Sequence, residues 1–236
     1  MSILWHGRLI EAVLLDLDGT LLDTAADIAL ALNRATAERG LRALDQESVR
    51  RMVGRGAPVL IERATAALGE PLDASAREEL LQRFFHHYGE LEARGEFSAA
   101  PYPGAREALH ALHAAHLRTA LVTNKQQRFA TSLMDLLGLA PFIDVVVGGD
   151  RCERRKPDPQ PLLYACDHLQ VAAERALMVG DSINDVEAAR GAGMPIICVS
   201  YGYNEGQDPR SLPCDALIDS LADLLPLLHL EPGGAA

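Results

Sequence analysis

Short apolar runs recur at residues 119–123, 145–147, 176–179 and 196–199, each preceded by a stretch whose apolar residues keep helical spacing (105–115, 127–137, 161–169 and 184–191). Runs that are apolar throughout suit strands covered on both faces, and strand–helix alternation of this kind builds a parallel sheet sandwiched between helices. A further run, Ala12-Val13-Leu14-Leu15, stands apart near the N-terminus. Between it and the next run the alternation breaks: residues 25–39, 47–53, 58–68 and 75–94 read as helices only, rich in Ala and Leu at a period near 3.6. Four helices are too many for a plain crossover. The expected fold is therefore α/β: a doubly wound parallel sheet, a Rossmann-like core of residues 1–23 and 99–236, with an all-helical domain inserted at 24–98. Its hinges are predicted at 22–24 and at 98–104, the second marked by Pro101, Pro103 and Gly104. Asp45 and Ser75 are predicted helix N-caps, and Thr24 either caps the first inserted helix or anchors the insert with Asp23. A weaker strand at 216–218 and a helix at 221–228 complete the core, and the Pro/Gly/Ala-rich tail 231–236 is expected to fray.

In such a sheet the residues just past the strand ends meet at one edge. Past the first strand come Asp16 and Asp18, two residues apart and so on the same side of an extended chain. Two carboxylates at a buried strand end are costly unless a proton, a cation or a metal offsets them, although Asp-x-Asp-Gly also serves as a solvated turn. Past the second strand come Thr123, Asn124 and Lys125; past the third, Lys156-Pro157-Asp158-Pro159; past the fourth, Gly180-Asp181-Ser182-Ile183-Asn184-Asp185. Four carboxylates, a hydroxyl, an amide and two ammonium groups would thus share one edge. A hard oxygen donor set without His or Cys favours Mg²⁺. Mg²⁺, lysine and threonine around a spare aspartate suit phosphoryl transfer through attack by that aspartate.

Composition narrows the partners. There are 22 Lys and Arg against 33 Asp and Glu, a net charge of −11, which argues against a nucleic-acid surface and requires an anionic substrate to find a local positive pocket. Only two of the 22 cations are lysines, Lys125 and Lys156, and both fall just past predicted strands. No apolar run approaches the roughly 20 residues of a membrane span. Arg8 and Glu11 interrupt the N-terminal apolar segment, and Cys152, Cys166, Cys198 and Cys214 lack metal-site spacing. A cytoplasmic location with reduced thiols is expected. The histidines at 110, 113 and 116 are read as a solvated helix face, and Tyr201 and Tyr203 as packing residues.

Taken in order, Asp16-Leu17-Asp18-Gly19-Thr20, Leu121-Val122-Thr123-Asn124-Lys125, Lys156-Pro157-Asp158-Pro159 and Gly180-Asp181-Ser182-Ile183-Asn184-Asp185 resemble the four motifs of the haloacid dehalogenase-like hydrolases. The resemblance implies Asp16 as nucleophile, Asp18 as acid/base, and Thr123 and Lys156 as phosphate-binding groups. It gives Mg²⁺ to Asp16, Asp18 (through its backbone carbonyl) and Asp181, with Asp185 as an auxiliary ligand, and makes the helical insert a cap. The presence of Asp18 favours a phosphatase over a dehalogenase, and the absence of lysine from 24–98 disfavours Schiff-base phosphonate cleavage. Val53-Gly54-Arg55-Gly56-Ala57, Val147-Gly148-Gly149-Asp150 and Tyr201-Gly202-Tyr203-Asn204 are similar to stretches of bacterial enzymes that hydrolyse 2-phosphoglycolate. The expected substrate is thus a small phosphorylated acid, with Arg55, Asn124 and Lys125 as further substrate-binding candidates. Sugar phosphates, N-acetylmuramate 6-phosphate, a phosphosugar mutase activity and a non-catalytic binding role are the alternatives, and monomer and homodimer stay open.

Overall fold

The computed structural model describes residues 2–231. The chain opens with a hairpin of β1 (Ser2–Trp5) and β2 (Arg8–Ile10), turned by His6 and Gly7 at positive φ. Strand β3 (Ala12–Leu15) enters the main sheet, and β4 (Leu22–Asp23) leaves it. Four helices follow, α1 (Ala25–Ala37), α2 (Gln46–Arg50), α3 (Ala57–Ala67) and α4 (Ala74–Arg94). The chain returns through β5 (Ala100–Pro101). It then alternates α5 (Ala105–Ala114), β6 (Arg118–Val122), α6 (Gln127–Leu136), β7 (Val145–Val147), α7 (Gln160–Leu169), β8 (Ala176–Gly180), α8 (Ile183–Gly191) and β9 (Ile196–Val199). It ends with β10 (Ala216–Ile218), α9 (Leu224–Leu227) and β11 (His229–Glu231).

The main sheet has six strands in the order β10-β9-β8-β3-β6-β7, all parallel. Successive side chains of a strand serve opposite faces. Val13, Leu15, Leu121, Val179 and Ile197 therefore pack under α5 and α6. Leu14, Ala120, Val122, Met178 and Ile196 pack under α7 and α8. Burial on both faces explains why these runs are apolar throughout. From β3 the chain builds outward to β6 and β7, then crosses back to β8 on the other side of β3. That reversal opens a crevice at the carboxyl ends of β3 and β8, where doubly wound sheets place ligands.

The insert has its own core, including Ile28, Leu32, Leu60, Phe84 and Tyr88, and Phe129 and Tyr203 reach into it from the sheet side. Its two chain connections pair as an antiparallel ladder, Leu22 with Pro101 and Asp23 with Ala100. Buried Asp27 of α1 fastens the return strand by accepting hydrogen bonds from Ser98 N and Ala99 N, both at 2.8 Å.

Three local expectations are corrected. Helix α4 is capped by Asp73, which accepts from Ala76 N at 2.9 Å, so Ser75 lies inside the first turn. Thr24 precedes α1 but makes no side-chain cap; its hydroxyl goes elsewhere. The helix expected at 221–228 is a 3₁₀ turn, Leu221–Asp223, followed by the single turn of α9. Asp45 caps α2 as expected, accepting from Ser48 N at 2.8 Å. Glu231 closes β11, beside β1, and the remainder of the expected frayed tail, 232–236, lies outside the described residues. The four cysteines are free. Among the described residues no helix is long and apolar enough to cross a membrane.

Candidate active site

Asp16 follows β3 and Asp181 follows β8, so the two carboxylates face one another across the crevice. Asp185, on the first turn of α8, joins them: ligand oxygens of Asp16, Asp181 and Asp185 all lie within 4.8 Å of one another. All three residues are buried. Lys156 sits among them, its Nζ 2.8 Å from Asp16 Oδ1 and 2.7 Å from Asp185 Oδ1, and it donates to Val122 O at 2.7 Å. Burial opposes the ammonium charge, but Asp16 and Asp185 outweigh it and hold Lys156 above its usual range.

One ammonium does not balance three carboxylates. Burial, with Asp185 and Asp18 nearby, outweighs Lys156 and pushes the Asp16 carboxyl up to about 7. Burial, with Asp185 and Asp16, pushes Asp181 well above the carboxylate range. A divalent cation fits this place: its donors would be hard carboxylate oxygens, and the backbone makes room for them. A Cβ on Gly180 would collide with Asp185, and one on Gly202 with Asp181. Asp181 is aimed by Tyr203 N, which donates to its Oδ2 at 2.6 Å, and by the Thr20 hydroxyl on Oδ1 at 3.3 Å. Asp185 has less to offer an ion. Its Oδ1 takes Lys156, and its Oδ2 accepts from Ser182 N at 3.1 Å and Ser182 Oγ at 2.7 Å, closing the N-terminus of α8.

The imbalance predicts a linked effect of pH and metal. Asp16 binds its proton more tightly folded than unfolded, so its contribution to stability is complete below pH 3.8 and is lost as pH rises through about 7. A divalent cation should restore that loss. At a hundredfold excess over Kd, binding adds about 2.7 kcal/mol, or roughly 5–10 °C in Tm for a chain of this size. Thermal melts with Mg²⁺ or EDTA should differ more at pH 8 than at pH 5; equal shifts at both would contradict the charge balance.

The side chain of Asp18 stays out of this cluster. Its Oδ1 accepts from the Thr24 hydroxyl at 2.5 Å and from Lys125 Nζ at 3.1 Å. Lys125 in turn lies over the Tyr88 ring of α4, 4.7 Å from its centroid. Asp16 and Asp18, two residues apart, thus have unlike surroundings: a cluster of acids for the first, a hydroxyl and an ammonium for the second.

Both line a cavity of about 270 Å³ between the strand ends and the helical insert. Thr123, Asn124 and Lys125 share its floor, Phe84, Phe85 and Tyr88 its roof, and Gly54 and Gly56 one wall. Asn124 spans the two layers, its Nδ2 donating to Gly54 O and to Lys156 O, both at 2.9 Å. Asn124 Oδ1 and Tyr88 Oη are buried without hydrogen-bond partners among the described residues.

Arg55 lies elsewhere than the sequence suggests. Its Nε donates to Glu205 Oε1 at 2.8 Å, and it is not among the residues that line the cavity. The guanidinium in the wall is that of Arg155, which packs where a side chain on Gly56 would stand: a Cβ there would be 2.8 Å from its Nη1. Arg155 is otherwise exposed to solvent. Tyr203 packs into the core of the insert, as expected; its hydroxyl has a further part at the hinge, accepting from Thr24 N at 2.8 Å and donating to Asp23 Oδ1 at 2.9 Å. The Tyr201-Gly202-Tyr203-Asn204 stretch, already conspicuous after the last main strand, was the available signal.

Comparison with known proteins agrees with this arrangement. A family model described as "Haloacid dehalogenase-like hydrolase" matches residues 13–199. The curated "Phosphoglycolate phosphatase" of Nitrosospira multiformis is 42% identical over 93% of this chain and 96% of its own. That of Rhodospirillum rubrum is 44% identical over 95% of this chain and 93% of its own. Among solved structures, a "predicted phosphoglycolate phosphatase" from Haemophilus somnus superposes with TM-score 0.85 at 30% identity, covering 92% of this chain and 97% of that one.

Proposed function

The chain belongs to the haloacid dehalogenase-like hydrolases and is a phosphoric monoester hydrolase, and we propose that it hydrolyses 2-phosphoglycolate to glycolate and phosphate, with Mg²⁺ as cofactor and a phosphoryl group carried in turn by Asp16. The observation that carries the reading is the placement of Asp16, beside Lys156 and Asp181, on the floor of a cavity whose roof is the helical insert. Residues 24–98 act as a cap that excludes bulk water from the reacting groups. Asp16, Asp181 and the Asp18 backbone carbonyl would hold the ion, which supplies positive charge to keep Asp16 ionised and to neutralise phosphate oxygens.

The phosphate binds over Asp16, against the Thr123 hydroxyl and close to the Lys156 charge. Asp16 attacks phosphorus; the bond from phosphorus to the ester oxygen breaks, and Asp18 passes a proton to the departing glycolate oxygen. Asp18 then removes a proton from water, which attacks the aspartyl phosphate and releases inorganic phosphate and free Asp16. Thr24 and Lys125 hold Asp18 in place for both transfers. The substrate carboxylate needs a cation on the far wall. Of the two cations lining the cavity, Lys125 is paired with Asp18, which leaves Arg155. Arg55 takes part through the wall segment that it anchors.

The test is kcat/KM over a panel of phosphorylated metabolites. 2-Phosphoglycolate should exceed sugar phosphates by about tenfold or more, the scale of one well-placed ionic contact. Arg155→Ala should erase that preference by raising KM for the acid alone. A wild-type enzyme that favours sugar phosphates would defeat the substrate assignment and leave the phosphatase intact.

A further inference from the structure

The loop after β9 connects the acid cluster to the cap. At its start Tyr203 N donates to Asp181 Oδ2. Then Asn204, Glu205 and Gly206 all take positive φ, +39°, +50° and +78°. Glycine accepts that region freely and asparagine with modest strain, but a glutamate there is unusual. Strain of this kind persists where its surroundings reward it. Here the kink carries the Glu205 carboxylate into the cap, where its side chain is only 18% exposed. Arg55 Nε donates to Oε1 at 2.8 Å and Arg63 Nη2 to Oε2 at 3.0 Å. Arg63 Nη1 also donates to Met52 O at 3.2 Å. One carboxylate of the core thus pins both ends of the segment 52–55, whose Val53 and Gly54 line the cavity.

We propose that Glu205 is a positioning residue for the hydrolase: through Arg55 and Arg63 it holds cap segment 52–56 over the cavity, and its own loop ties that segment to Asp181. Neither oxygen of Glu205 is assigned to the substrate or to the reacting atoms. The inference needs only the phosphatase activity and is independent of which acid is the substrate. It also gives Arg55 a different task from binding the substrate carboxylate, and the two tasks make different predictions.

Steady-state kinetics of Glu205→Gln, Glu205→Asp, Arg55→Ala and the double variant Glu205→Gln/Arg55→Ala test it, with 2-phosphoglycolate and with p-nitrophenyl phosphate, which has no carboxylate. Glu205→Gln should raise KM about tenfold for both esters, the scale of one charge-assisted pair, and leave kcat within about twofold. Glu205→Asp should recover part of the loss. Arg55→Ala, which leaves the Arg63 contact in place, should raise KM for both esters by no more than Glu205→Gln does, and the double variant should be no worse than Glu205→Gln alone. Raising NaCl from 50 to 500 mM weakens binding of the anionic ester in every form, but the wild-type KM should rise by a larger factor than that of the variants, a response that a purely structural role would not give. Should Glu205→Gln fold poorly, Arg55→Ala and the salt series decide alone. An unchanged KM, additive effects in the double variant, or a KM rise confined to 2-phosphoglycolate would each overturn the proposal, the last by assigning Arg55 to the substrate carboxylate.

Discussion

Asp16→Asn should lower kcat by about 10⁴-fold or more, as loss of a catalytic nucleophile does, while the fold stays intact. The amide has the same shape as the carboxylate and keeps an oxygen for Lys156 Nζ, now 2.8 Å from Oδ1. Its new N–H groups face the oxygens of Asp181 and Asp185, within the same 4.8 Å cluster. What disappears is one negative charge from a site that has three carboxylates and one ammonium. The metal-free variant should therefore melt at or above the wild-type temperature at pH 8, where the Asp16 carboxyl, pushed up to about 7 by burial, is ionised in the native enzyme. At pH 5 the two proteins should melt together. The Mg²⁺-induced rise in Tm should shrink in the variant, because one of the proposed ligands is gone. Turnover above about 1% of wild type under saturating Mg²⁺ would remove Asp16 from the role of nucleophile.

The parts of this site that were legible in the sequence are those governed by the sheet. Apolar strands covered on both faces announce themselves, and a parallel sheet delivers the residues after each strand to one edge, so Asp16, Thr123, Lys156 and Asp181 could be brought together from order alone. The parts that were not legible depend on where a loop lies against the cap. Thr24 precedes a helix, which is where a capping threonine would stand; only the folded hinge shows its hydroxyl on Asp18 instead. Arg155 and Glu205 have ordinary exposed-loop neighbours in sequence, and the cap residues they meet, Gly56 and Arg55, are about 100 and 150 residues away. The ladder of β4 and β5 is two residues long, too short for any alternation to be read. The N-terminal hairpin did carry a local signal, His6-Gly7 between apolar residues, but its third strand comes from β11 at the far end of the chain.

Lys156→Met should cost the fold about 3–5 kcal/mol, and it follows from the same arithmetic of charge. The lysine is 3% exposed, and its donors all end on protein oxygens: Asp16, Asp185 and the carbonyl of Val122 at the end of β6. Methionine fills the space of the aliphatic stem, so packing is nearly conserved, and the loss isolates the ammonium. Without it the buried carboxylates face one another uncompensated, and Val122 O loses its donor. The carboxylates can escape only by taking up protons, which makes the cost depend on pH. Urea unfolding should show the full loss at pH 8 and a smaller one at pH 5, where protonation replaces the missing cation. Mg²⁺ should recover part of the stability at pH 8, since it addresses Asp16 and Asp181, but not the part owed to Asp185, whose oxygens face Lys156 and Ser182. A loss below about 1 kcal/mol at pH 8, the size of an exposed ion pair, would mean that water reaches the cluster and that the raised Asp16 carboxyl has another cause.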